Sequence, residues 1–216
     1  TVRVTSLESL TGGTGTDVVN LTGIDNTVWV TNIESLAGNK KLDVILLGNL
    51  GSTVTVSVVE SIVGGTGTDV ISLGNTGNTL VASSVESLTG GTGKDSVALG
   101  NAGNTLVLSS METLFGGTAT DVVTLDNGNG SIALSAVESL MGGTGVTVAT
   151  LASTGGTITV AAIETLLGAK GNDIITLTSV GNTVTAGLID SLFGGTGTDV
   201  IALGNAGNSI AVWSVE

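Results

Sequence analysis

The chain has 216 residues with 35 glycines, no proline, no cysteine and no histidine, and its formal net charge is −13. A mean hydropathy of +0.54 excludes intrinsic disorder, and the missing cysteines and histidines exclude disulfide frameworks and thiolate or imidazole metal sites. The acidity argues against nucleic-acid partners, and no apolar run is long enough to predict membrane insertion.

A single sequence repeat runs through the whole chain without insertion or deletion. Its length is 26 residues, which is the separation of Glu8 and Glu34. Two acidic columns mark it, and they hold 16 of the 18 acids, so the negative charge is positional. The first column is Glu8, Glu34, Glu60, Glu86, Glu112, Glu138, Glu164, Asp190 and Glu216. The second column, nine positions further on, is Asp17, Asp43, Asp69, Asp95, Asp121, Asp173 and Asp199, with Thr147 in the sixth repeat.

Each repeat predicts three short strands separated by breakers, as residues 85–110 illustrate. A segment ending at Leu88 leads into a glycine-rich turn over 89–95, and a second strand over 96–99 is followed by a second turn over 100–104. A third strand then ends in a tighter bend near Ser109 and Ser110. No segment reaches helix length.

Apolar residues recur in columns at the same positions of every repeat. Val97 and Leu99 illustrate one pair of columns, and Leu106 and Leu108 another; the spacing of two places each pair on one face of a strand. A single repeat cannot bury such faces, whereas stacked repeats can.

The sequence therefore predicts an all-β fold, a parallel β-solenoid built as one array over residues 1–216. We expect eight coils, each one repeat long and with about three strands, beginning near residues 7, 33, 59, 85, 111, 137, 163 and 189. Each residue should then lie on its counterpart in the next coil. A propeller, a leucine-rich repeat and an antiparallel sandwich fit the period less well.

The first turn of the repeat carries a motif. It is Gly-Gly-Thr-Gly-Thr-Asp at residues 12–17, 64–69 and 194–199, and closely similar at 90–95 and 116–121. This resembles the RTX calcium-binding nonapeptide, Gly-Gly-x-Gly-x-Asp-x-apolar-x. The resemblance implies a right-handed β-roll whose stacked loops bind Ca²⁺, because two loops together supply the six to eight oxygens that the ion needs. The implied metal ligands are Asp17, Asp43, Asp69, Asp95, Asp121, Asp173 and Asp199.

Other interpretations of these columns remain open. Each aspartate can instead cap its own turn, and the glutamates can form a solvated ladder, a second cation site or a lateral contact. The second turn lacks the aspartate and predicts a corner with stacked asparagines. Threonines such as Thr14, Thr66 and Thr92 can form an ice-binding array, and the valines that follow the aspartates should point outward.

These features predict a non-enzymatic, calcium-stabilised repeat module of a secreted or cell-surface bacterial protein, such as an adhesin, a surface-layer protein or a filament. The alternatives are an ice-binding solenoid and a repeat region attached to a secreted enzyme. Neither end carries a recognisable cap, so we expect end-to-end self-association or continuation into a longer solenoid.

Overall fold

A computed structural model describes residues 1–126, 130–152, 155–178, 181–205 and 209–215. Within these ranges the chain forms 25 strands in two sheets of 13 and 12 strands, and every pairing between neighbours is parallel. None of the described segments is a helix that could cross a membrane. The predicted all-β parallel β-solenoid is confirmed.

Odd-numbered strands form the large sheet and even-numbered strands form the small sheet. The large sheet contains β1 Val2–Val4, β3 Val18–Leu21, β5 Ser35–Ala37, β7 Thr53–Ser57, β9 Val70–Leu73, β11 Ser87–Thr89, β13 Thr105–Ser109, β15 Val122–Leu125, β17 Ser139–Met141, β19 Gly156–Ala161, β21 Asp173–Leu177, β23 Ser191–Phe193 and β25 Ala211–Trp213. The small sheet contains β2 Ser9–Thr11, β4 Asn26–Thr31, β6 Asp43–Leu47, β8 Ser61–Val63, β10 Thr79–Ser83, β12 Ser96–Leu99, β14 Thr113–Phe115, β16 Gly130–Ser135, β18 Thr147–Leu151, β20 Thr165–Leu167, β22 Thr183–Gly187 and β24 Val200–Leu203.

The coil is shorter than the sequence repeat. Each coil contains one strand of each sheet, so the solenoid makes about 12 turns rather than the predicted eight. Val19 pairs with Leu36, and Leu36 pairs with Val56, so the chain returns to the same sheet before a full repeat has passed. The prediction of eight coils, each one repeat long, is wrong because a repeat contains three strands whereas a coil contains two.

Each repeat therefore occupies one and a half coils, and equivalent strands of successive repeats lie on opposite sheets. Strand β3 of the first repeat is in the large sheet, whereas its equivalent β6 in the next repeat is in the small sheet. The predicted stacking of each residue on its counterpart is also wrong, since Leu36 lies between Val19 and Val56, which belong to two other columns.

The apolar columns fill the space between the sheets as predicted. Ile45, Ile71 and Val97 are all 0% exposed, and residues on either side of them along the strand point outward. Two parallel faces of aliphatic side chains thus pack against each other along the solenoid.

The third connection of the repeat is a tight bend with a left-handed residue. The predicted bend at Ser110 is confirmed, with φ of 51°, and Ser84 and Val58 occupy the same position with φ of 52° and 54°. A non-glycine residue rarely adopts this conformation, so the surrounding coils must hold it in place.

Candidate functional site

The solenoid has two narrow edges where the chain crosses between sheets. At edge 1 it passes from the small to the large sheet, and this edge carries Asp17, Asp69, Asp121 and Asp173. At edge 2 it passes from the large to the small sheet and carries Asp43, Asp95, Thr147 and Asp199. Equivalent aspartates of successive repeats thus lie on opposite edges.

Each aspartate of the second acidic column caps its own turn. Asp95 Oδ2 accepts a hydrogen bond of 3.0 Å from Gly91 N, and Asp121 Oδ2 accepts one of 2.8 Å from Gly117 N. The same bond, from the N–H four positions earlier, forms at Asp17, Asp43, Asp69, Asp173 and Asp199. This arrangement matches the alternative interpretation, in which the aspartate stabilises the turn.

The first glycine of the motif makes room for the next coil. A Cβ atom at Gly64 would overlap the carbonyl oxygen of Ser84, which is the left-handed residue of the following tight bend. The motif turn therefore stacks against a bend of a different kind, and a side chain at this glycine would separate the coils.

An asparagine from the preceding coil donates hydrogen bonds to the other oxygen of the aspartate carboxylate. Asn78 donates from both its backbone N and its Nδ2 to Asp95 Oδ1, each at 2.8 Å. Its Nδ2 also lies 3.0 Å from Gly74 O and 2.6 Å from Thr76 O. Asn104 and Asn182 make the same pair of bonds to Asp121 and Asp199, and Asn26 donates from Nδ2 to Asp43. The predicted stack of asparagine on asparagine is wrong, because asparagine stacks on aspartate.

A glutamate from the following coil binds the other side of the turn. Glu112 Oε2 accepts a hydrogen bond of 2.7 Å from Asp95 N, and Glu86 Oε2 accepts one of 2.7 Å from Asp69 N. The glutamates are exposed or half-buried, yet they are not the solvated ladder of the first alternative, since each described one from Glu34 to Glu164 holds a backbone N–H. Glu216 lies outside the described residues.

Asparagine, aspartate and glutamate from three successive coils thus form one unit, here called the edge triad. Its members are 17 residues apart, as in Asn78, Asp95 and Glu112. Asp95 and Asp121 are 1% and 0% exposed, so the triads bury carboxylates and satisfy them with N–H donors.

Three triads are incomplete because another residue occupies the asparagine position. Ser52 and Gly156 replace the asparagines that would bond Asp69 and Asp173 respectively. The buried Oδ1 atoms of both aspartates have no hydrogen-bond partner. In the third, Gly130 replaces the asparagine and Thr147 replaces the aspartate, and the two pair directly. The asparagine and the aspartate are lost together there, which is the pattern expected of contacting residues.

Hydrogen bonds in the last triad change the pKa of Asp199. Burial alone raises the pKa of its carboxyl, but hydrogen bonds from the Asn182 side chain, Asn182 N and Gly195 N stabilise the charged form and lower the pKa below 3.8 overall.

The stacking of turns at the edges differs from the arrangement that the resemblance implies. A motif turn stacks on the asparagine turn and the tight bend, so aspartates of one edge are three coils, or about 14 Å, apart. N–H donors already point at the carboxylate oxygens of Asp95, Asp121 and Asp199. Within the described ranges no group of three acidic side chains could hold an ion. Calcium binding stays a prediction, without support from these contacts.

The threonines of the motif turn do not form one row. Thr66 and Thr118 are on edge 1 and Thr92 is on edge 2, so neighbours on one edge are separated by two coils that carry other turns. The valines after the aspartates do point outward as predicted; Val70 and Val122 are half-buried between inward-facing neighbours.

Hollows along the edges lie where the tight bend sits beside a longer turn. One is lined by Ala136, Glu138 and Gly155, and another by Asn32, Glu34 and Gly51. Each of these two contains a single carboxylate residue, whose main-chain carbonyl accepts from the N–H of Thr159 or Thr55 and whose side chain accepts from an aspartate N–H.

Comparison with known proteins adds no relative: no protein-family model, no curated protein and no solved structure matches this chain. The sequence interpretation missed the asparagine as the partner of the aspartate. The joint replacement at Gly130 and Thr147, which have the same separation along the chain as Asn78 and Asp95, is the signal that would have revealed the pair.

Proposed function

We propose that this chain is a structural rod, a non-catalytic spacer or assembly element of a secreted or cell-surface protein such as an adhesin, a surface-layer protein or a filament. The observation that supports it is the edge triad. Buried carboxylates are common at catalytic and binding sites. The carboxylates of Asp95, Asp121 and Asp199 instead accept hydrogen bonds from their own coil and from the preceding coil. Their role in the proposed rod is therefore to connect neighbouring coils.

The triads also suit a rod whose stability does not depend on metal. Three N–H groups donate to the Asp95 carboxylate, two from Asn78 and one from Gly91, and they supply the positive charge density that a cation would otherwise provide. In a calcium-dependent roll the carboxylates are uncompensated without the ion, and chelation unfolds the protein.

Thermal unfolding followed by circular dichroism tests this proposal. The protein is measured in EDTA, in excess calcium chloride, and in magnesium chloride of the same ionic strength. We expect one midpoint in all three, because the donors of the triads are part of the chain. A β-spectrum that appears only with calcium, and that Asp95→Asn removes, would instead establish the calcium-stabilised module.

A further inference from the structure

Charge is segregated in this solenoid. Among the described strands only Arg3, Asp43 and Asp173 are charged, and both aspartates are buried at the edges. The outer surface of the small sheet is therefore free of charge along all 12 strands, in a chain whose net charge is −13.

One part of this surface is strongly apolar. The register places Trp29 beside Leu46 and Leu46 beside Val63, and in the adjacent column it places Val81 beside Ala98 and Ala98 beside Phe115. We call Trp29, Leu46, Val63, Val81 and Phe115 the face patch. Trp29, Val81 and Phe115 are 56%, 44% and 45% exposed, so their apolar surface faces solvent.

The opposite surface lacks such a patch over the same coils. Between β5 and β13 the outward residues of the large sheet are mostly hydroxyls, and Thr55, Ser72, Thr89 and Ser109 pair with one another across four neighbouring strands. Stacking of coils alone does not require aromatic or leucine side chains outside, because the outward apolar residues of the large sheet over these coils are only Ala37, Val70 and Val107.

We propose that the outer face of the small sheet binds the same face of a second copy of this chain, patch against patch. Two sheets pack face to face at about 10 Å, and uncharged faces with the same strand spacing bring their side-chain rows into register. Twelve strands give each face about 750 Å², close to the roughly 800 Å² per partner of a stable interface. The acidic edges then lie at the rim, where charge is tolerated.

This inference rests on the proposed rod, but it is tested separately, by sedimentation equilibrium over a concentration series up to about 1 mM. The test variant is Val81→Lys, which places a charge in the face patch. Val107→Lys is its matched control: Val107 holds the same position in the next repeat, is 43% exposed, and lies on the large sheet between Ser87 and Thr124.

We expect the wild type and Val107→Lys to dimerise alike, and Val81→Lys to dimerise more weakly with an unchanged β-spectrum. The dissociation constant of the Val81→Lys protein should rise at least tenfold. A wild type that stays monomeric, or an association that Val81→Lys leaves intact, would overturn the inference; the latter would indicate end-to-end contacts. In either case an unchanged melting midpoint in EDTA would leave the rod standing.

Discussion

Two triads one repeat apart show what the asparagine contributes. On edge 2, Asn78 gives the Asp95 carboxylate two hydrogen bonds at Oδ1. On edge 1, Ser52 gives Asp69 none, and the buried Oδ1 is left without a partner. The backbone differs as well, since Gly51 has φ of +79° whereas Gly77 lies outside the left-handed region. In the turn that carries the asparagine, the backbone N–H of Asn78 therefore reaches the aspartate as well.

The largest expected effect comes from removing the carboxylate of the complete triad. Asp95→Ala strands the donors of Asn78 and Gly91 in a buried site and should lower the free energy of unfolding by about 3 to 5 kcal/mol. Asp69→Ala, which strands only Gly65 N, should cost about 1 to 2 kcal/mol. Urea unfolding of both variants measures the difference, and equal losses would contradict the role of the triad.

Converting the complete triad into the incomplete one should have the next largest effect. Asn78→Ser removes the Nδ2 donor from Asp95 and should cost about 2 kcal/mol. Asn75→Ser serves as the control, because Asn75 is in the same turn but exposed. If the two substitutions shift the urea midpoint equally, the loss reflects the loop and not the pair.

Repairing an incomplete triad should stabilise the protein by about 1 kcal/mol. Gly156→Asn places the missing amide opposite Asp173, and its Cβ meets nothing within 4 Å. Gly130→Asn is the matched control, since its Cβ is equally unobstructed but it faces Thr147, which has no carboxylate. Any gain common to both variants reports the loss of glycine flexibility, and only the excess at Gly156 reports the restored pair.

The smallest expected effect is the pH dependence from Asp199. Its pKa is lowered in the folded state, so the unfolded chain binds the proton more readily, and the resulting stability is present above about pH 3.8 and lost as the pH falls through the folded pKa. Asn182→Ala should raise the pKa and move this loss to higher pH. The ¹³C shift of the Asp199 carboxyl in an NMR titration would show it; an unchanged midpoint would mean that the Asn182 side chain does not set the pKa.

Local patterns in the sequence were enough to predict the all-β parallel solenoid. The two-residue spacing of Val97 and Leu99 predicted inward-facing strand positions, and both are buried. The length of a coil could not be predicted in the same way. The sequence period gives the length of the repeat, whereas the pairing of strands determines how many residues make one coil. The partner of Asp95 was missed for this reason: Asn78 is 17 residues away, which is the length of one coil and not of one repeat.

Because each repeat occupies one and a half coils, the direction in which a surface faces depends on whether an even or an odd number of repeats precedes it. Inserting or deleting one repeat turns everything that follows by half a coil, so that a side chain bound for the small sheet emerges on the large sheet. Two repeats restore the original orientation. Gains and losses in pairs therefore lengthen or shorten such a rod without changing which way its surfaces face, whereas a single gain reverses every surface beyond it.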